Sequence, residues 1–311
     1  MNILMYVGLD VHSTSHSIAI YDSSSNGFPY EHAVSGDPND IVKFLNMVKD
    51  LNPSWGFKVG YEAGCLGKSV YKCLKRNGYD CVIMAPTTIA VPTQDRRKKN
   101  DRRDARNIAK SLAFGTYKSV YIGDDHDDEA RDYIRMRDDL KRHLKQAKQE
   151  LNSFLMHIGL IYGKSKWTPA HLAWIKSLEL TPLQRLTADG YLTTINQLSE
   201  QIQTANEQIA TLANEDRYKD KVQKLVALKG IRTQTAMTIL SEIGDFDRFP
   251  TANAFVSYIG LIPSEYSSGE KIQNGTITKS GNSHCRMALI ESTQSIVRGK
   301  IGSKSKALKA R

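Results

Sequence analysis

Between residues 140 and 158 the apolar side chains Leu140, Leu144, Ala147, Leu151, Phe154 and Ile158 recur at spacings of four and three, and Tyr191, Ile195, Leu198, Ile202, Ala205, Ile209 and Leu212 repeat the pattern. A seam of that period is continuous only on an α-helix, and an apolar seam must be covered. The middle of the chain is therefore restricted to two long helices that pack on each other or on a second copy. Trp167, Pro169, Trp174 and Pro182 mark the connection between them. Periodicity alone fits an antiparallel hairpin within one chain and a coiled coil between protomers equally well.

The residues before this seam follow another rule. Ile3 to Val7 and Ser17 to Tyr21 read as strands, and the Ser-, Asn- and Gly-rich stretch from Asp22 to Phe28 has hairpin-turn chemistry. Ile41, Phe44, Leu45 and Val48 predict a helix over 37–51, started by Asp37-Pro38. Strand, helix and strand follow over 57–62, 67–77 and 81–85. This alternation predicts an α/β domain ending near residue 120. After Lys221, the runs Leu225 to Ile231 and Thr235 to Leu240 flank Gly230. That resembles the helix-hairpin-helix device that holds a DNA phosphate, and equally a helical turn with a glycine cap. A hairpin over 272–278 and a helix beginning at Gly281 complete a small, mostly helical end. The expected division is 1–120, 121–220 and 221–311.

Lysine and arginine number 43 against 33 aspartate and glutamate, a formal charge of +10. The excess is clustered. Arg96, Arg97, Lys98, Lys99, Arg102, Arg103 and Arg106 crowd one segment, and a second group runs from Arg298 to Arg311. Such clusters attract polyanions, so nucleic acid is the expected partner. Neither lies opposite an apolar helix face, which argues against a membrane surface. No apolar run approaches the ~20 residues of a spanning helix, and the start has no signal-peptide pattern, so the expected location is cytoplasmic. Cys65, Cys73, Cys81 and Cys285 form no C-x-x-C pair and read as core residues.

Four carboxylates carry the chemistry. Asp10 sits inside the first strand, Glu62 ends a later one, and Asp101 and Asp104 fall three apart on a predicted helix and so share a face. Clustered like charges need a cation, and oxygen ligands of this kind suit Mg2+. The neighbouring cations, with Lys271 and Lys279, are placed to hold phosphates or to pair with acids. The acidic run from Asp124 to Glu129 is a rival metal candidate that reads as a helix cap, and His12 and His16, which could contact DNA or metal near Asp10, read more simply as exposed polar turn residues. Ser267 and Ser268 precede Gly269 in a turn that could present a nucleophile, although nothing beside them supplies an evident base.

Taken in order, Gly8-Leu9-Asp10-Val11-His12, Tyr61-Glu62-Ala63, Lys99-Asn100-Asp101-Arg102-Arg103-Asp104-Ala105-Arg106, Gly260-Leu261-Ile262-Pro263, Ser267-Ser268-Gly269-Glu270-Lys271 and Thr278-Lys279-Ser280-Gly281-Asn282 resemble the DEDD transposases of insertion-sequence family 110. The resemblance implies an N-terminal RuvC-like, RNase H-fold domain binding Mg2+ through Asp10, Glu62, Asp101 and Asp104. It further implies a central coiled-coil dimerisation region and a C-terminal transposase domain whose serine, placed at Ser267, forms a covalent bond to DNA. Implied partners are the DNA of element ends and target, a structured noncoding guide RNA, and further copies in a homodimer or homotetramer. Asn100 stands where Thr is common and Glu270 where Gly is common. Family members continue as a helical segment past Lys309, so the last domain is expected to be truncated at Arg311. The competing readings are a metal-dependent RuvC-like junction nuclease with no covalent intermediate and, on the Gly8 to Thr14 stretch alone, an actin-like phosphotransferase.

Overall fold

Strand alternation in the first apolar run builds the first layer. In β1 (Ile3–Val11) the side chains of Met5, Val7 and Leu9 are fully buried on one face, which turns Gly8 and Asp10 to the other. Two antiparallel neighbours, β2 (Ser15–Asp22) and β3 (Gly27–Ser35), lie on one side of β1, and two parallel ones, β4 (Trp55–Glu62) and β5 (Asp80–Met84), on the other. The sheet order is β3-β2-β1-β4-β5. The computed structural model describes residues 3–64, 66–86, 100–265 and 274–297. Two compact units divide the chain, Met1–Ile122 and Gly123–Arg311.

Helix α1 (Pro38–Leu51) begins as its sequence dictates. The Asp37 side chain accepts from the Asn39 amide, and Pro38 occupies the first turn, where its missing N–H costs nothing. Its buried Ile41, Phe44, Leu45 and Val48 join Val70 and Leu74 of α2 (Ser69–Arg76) over the Met5–Val7–Leu9 face. The opposite face carries α3 (Asp101–Phe114), which buries Ala105, Ile108, Ala109 and Leu112. The approach is close enough to require glycine beneath it. A Cβ on Gly8 would stand 2.0 Å from the Ala105 carbonyl oxygen and 2.4 Å from the Ala109 nitrogen.

In the second unit, α4 (Asp125–His157) and α6 (Pro182–Leu212) run antiparallel. Ala147, Leu151 and Leu155 share one cluster with Ala188 and Ile195, whereas Ala130 and Ile134 share another with Ile209 and Ala213. The apolar seam is thus closed within the chain. Short α5 (Pro169–Ser177) sits by the first cluster, where His171 is fully buried among Tyr162, Trp167 and Trp174. A Thr181–Gln184 capping box followed by Pro182 starts α6. The acidic run does cap α4, because Asp124 accepts from the Asp127 amide.

The second cluster also takes in α7 (Asp216–Val226), α8 (Thr233–Ile243) and α10 (Ser283–Val297). Between α8 and α10 lie α9 (Ala252–Tyr258) and the paired strands β6 (Pro263–Glu265) and β7 (Asn274–Ile277). Glu242 on α8 is buried. It accepts two hydrogen bonds from Arg135 of α4, at 2.7 and 2.8 Å, and one from the Asn282 amide at 2.6 Å. Burial pushes the Cys81 and Cys285 thiols up to about 12, which makes them poor nucleophiles. No helix among the described residues is long and apolar enough to cross a membrane.

Candidate functional site

The close contact between Gly8 and the Ala105–Ala109 stretch fixes where the acids meet. Asp10 lies two residues further along β1, on the same face, and Asp101 lies one helical turn before Ala105. Asn100 itself has an extended backbone, and its side chain accepts from the Arg102 amide at 3.0 Å, starting α3. Asn caps as well as Thr does, so this departure from the family pattern leaves the helix start intact. Asp101 and Asp104 occupy the first turn, where carboxylates oppose the positive end of the helix dipole.

Asp10, His12 and Asp101 each offer a ligand atom, all within 4.8 Å of one another. His12 Nε2 stands 3.1 Å from Asp10 Oδ2 and 3.7 Å from Asp101 Oδ1. Burial pushes the Asp10 carboxyl above its ordinary range. The charge and hydrogen bond of His12 pull it back, and the charges of Asp101 and Asp104 push it up again. Two convergent carboxylates, one of them shielded from water, are a donor set that fits a hard divalent cation. The same cation would relieve the repulsion among the acids.

Of the four expected acids, Asp10 and Asp101 belong to this group. Asp104 is felt at Asp10 but belongs to no such group among the described residues. Glu62 ends β4 one residue past Tyr61, which pairs with Leu9. By alternation it faces the α3 side with Gly60, and its exposed side chain stands outside the triad. His12, for which contact with metal or DNA near Asp10 is one of the two expectations, stands beside both acids. It follows the last residue of β1, and its amide donates to the Ser15 carbonyl in the turn to β2. His16 is not the exposed turn residue that the sequence predicts. It is a fully buried member of β2, in register with Val11, and burial pushes its imidazole below the ordinary range.

The basic residues have more defined roles than a solvated face. Arg102 and Arg106 both pair with Glu31 on β3, Arg106 through a contact of 3.0 Å from Nε and a second from Nη2. Their contacts bring Glu31 below its ordinary range. Arg103 and Lys279 are exposed. Arg96, Arg97, Lys98, Lys99, Lys271, Ser267 and Ser268 lie outside the described residues.

Comparison with known proteins gives two family matches. Residues 7–159 match a transposase family model named for DEDD transposases of the IS110 type, and residues 222–308 match the model described as transposase IS116/IS110/IS902 family. A predicted transposase of Sinorhizobium fredii is 31% identical over 289 residues, covering 92% of this chain and 70% of its own length. The transposase for insertion sequence element IS1533 of Leptospira borgpetersenii is 32% identical over 253 residues, covering 78% and 70%. The transposase for insertion sequence element IS1111A of Coxiella burnetii is 27% identical over 222 residues, covering 68% and 59%.

Proposed function

The chain belongs to the IS116/IS110/IS902 family of insertion-sequence transposases, and from that premise we propose that it is an RNA-guided DNA recombinase working through a metal–carboxylate centre and a serine–DNA intermediate. The observation that carries the reading is the convergence of Asp10 from β1 and Asp101 from α3 within 4.8 Å. The order β3-β2-β1-β4-β5, with its antiparallel and parallel halves, is consistent with an RNase H-like fold for residues 1–120. Residues 121–220 form the coiled-coil region and 221–311 the transposase domain in this reading.

Asp10, Glu62, Asp101 and Asp104 would hold Mg2+, with Asp10 and Asp101 as the central pair. The cation, when bound, supplies charge stabilisation on the transferring phosphoryl group. His12, in the tautomer that carries hydrogen on Nε2, donates to Asp10 Oδ2 and fixes the plane of that carboxylate. Ser267 is the nucleophile. Its oxygen bonds to phosphorus, a carboxylate of an acid cluster accepts its proton, and the sugar oxygen of the cut strand leaves. That cluster comes from another subunit of a homodimer or homotetramer. A guide RNA pairs with element-end and target DNA, and Arg96, Arg97, Lys98, Lys99, Arg103, Lys271 and Lys279 contact phosphates without reading bases.

Trapping the complex on nicked element-end DNA and locating the adduct by mass spectrometry tests the reading. Ser267→Ala should bind RNA and DNA yet form no adduct, whereas Ser268→Ala should retain it. Strand cutting with no adduct on any residue would replace recombination through serine with hydrolysis by a RuvC-like nuclease.

A further inference from the structure

The side of α3 that faces β3 carries a feature that metal binding does not need. Arg102, Arg106 and Lys110 succeed one another every four residues, so their side chains form one stripe that climbs about 6 Å per step. Asp101 of the acid cluster is adjacent to the first of them, and Phe114, four residues after Lys110, ends the stripe. Phe114 is 64% exposed, unusual for a large aromatic side chain on a structured helix.

The cations are held and not loose. Glu31 engages both arginines through their ε nitrogens, yet Arg102 and Arg106 keep 67% and 41% of their side-chain surface open. The Arg106 guanidinium lies 5.1 Å from the centre of the Phe28 ring, and the Lys110 ammonium lies 5.7 Å from the same ring and 5.9 Å from Tyr21. Tyr21 in turn stands 6.1 Å from Phe114. Three cations against one carboxylate leave the stripe positive, and its far end offers an aromatic face. Cations spaced along a line together with an open aromatic ring suit a single nucleic-acid strand, whose phosphates follow the charges and whose unpaired base can stack. A duplex offers no such base.

We propose that Arg102, Arg106, Lys110 and Phe114 form a track for a single DNA strand leading to the Asp10–His12–Asp101 cluster, with a base stacked on Phe114. Glu31 acts as the positioning residue that keeps both guanidinium groups aligned. The choice of DNA rests on the reading above that the cluster cuts DNA.

Anisotropy of a short fluorescent single-stranded DNA on the intact protein, repeated over a range of salt, tests the track. Phe114→Ala should weaken binding about tenfold, the size of one lost base–aromatic stack, with an unchanged salt slope. Phe114→Trp should restore it. Lys110→Ala should lower the slope by about 0.7, the loss of one phosphate contact on a single strand. Unaltered affinity in both alanine variants overturns the proposal. So does equal weakening on duplex DNA, an equal dependence on Phe114 for RNA of the same sequence, or a change in oligomeric state that alone accounts for the loss. Normal cation-dependent cutting by Phe114→Ala, with undiminished strand binding, sinks the track and leaves the metal reading standing. Loss of strand binding in Phe114→Ala, when the unmodified protein cuts no DNA with any divalent cation, supports the track and sinks the metal reading.

Discussion

At the scale of single residues, Gly8 sits two positions before Asp10 of the proposed centre. Gly8 lets α3 press on β1, and any Cβ there meets backbone atoms that cannot rotate away. Gly8→Ala should therefore destabilise the first unit by at least ~2 kcal/mol, read by chemical denaturation, and should weaken cation binding because the contact aligns Asp101 with Asp10. Glu242 makes a second case. Burial pushes its carboxyl up, but hydrogen bonds from Arg135 and Asn282 and the Arg135 charge outweigh this and leave it below 4.5. Its folded value is depressed, so the stabilisation is present above the unfolded value and is lost as pH falls through the folded one. Below about pH 4.5 the second unit should lose stability, and Glu242→Gln should flatten that slope in thermal unfolding. At neutral pH the same variant should cost about 2 kcal/mol, less than the ~3–5 of a fully buried pair, because Arg135 is 42% exposed.

Secondary-structure elements were the most legible level in the sequence, for a physical reason. Apolar periods of two and of four and three are direct consequences of strand and helix geometry, and Asp37-Pro38, Thr181-Pro182 and the acidic run before α4 are local caps that need no tertiary contact. What periodicity could not supply was the partner of the long seam. The structure closes it within the chain, with Leu151 fully buried between α4 and α6. Leu151→Ala should cost about 2–5 kcal/mol in denaturant unfolding, and an unchanged midpoint would mean that the seam is not packed as described. Site geometry was legible only in part. Asp10 and Asp101 could be nominated from residue type and spacing, and His12 only as one of two readings; what decides between them is a turn that bonds its amide to the Ser15 carbonyl and leaves its ring beside both acids. The Glu31 pairing with Arg102 and Arg106 joins residues about 70 positions apart, separated by 71 and 75 in sequence, and no local pattern encodes it.

At the scale of the whole molecule, the chain combines its family membership with one proposed centre. The matches over 7–159 and 222–308 place transposase sequence at both ends of the chain, and the acid cluster lies within the first. If Asp10 and Asp101 hold the cation, neutralising either should remove strand cutting while leaving nucleic-acid affinity almost untouched, since phosphate contacts by lysine and arginine dominate that affinity. Replacing Arg103 with Ala should instead weaken binding to all sequences alike and lower the salt slope by about one unit. The most direct measurement is Mg2+-dependent cutting of labelled element-end DNA by the protein with the proposed guide RNA added, compared with its Asp10→Asn variant at equal DNA occupancy. The unmodified protein should cut and the variant should not cut above background; cutting by Asp10→Asn at the unmodified rate would rule out a metal centre on Asp10.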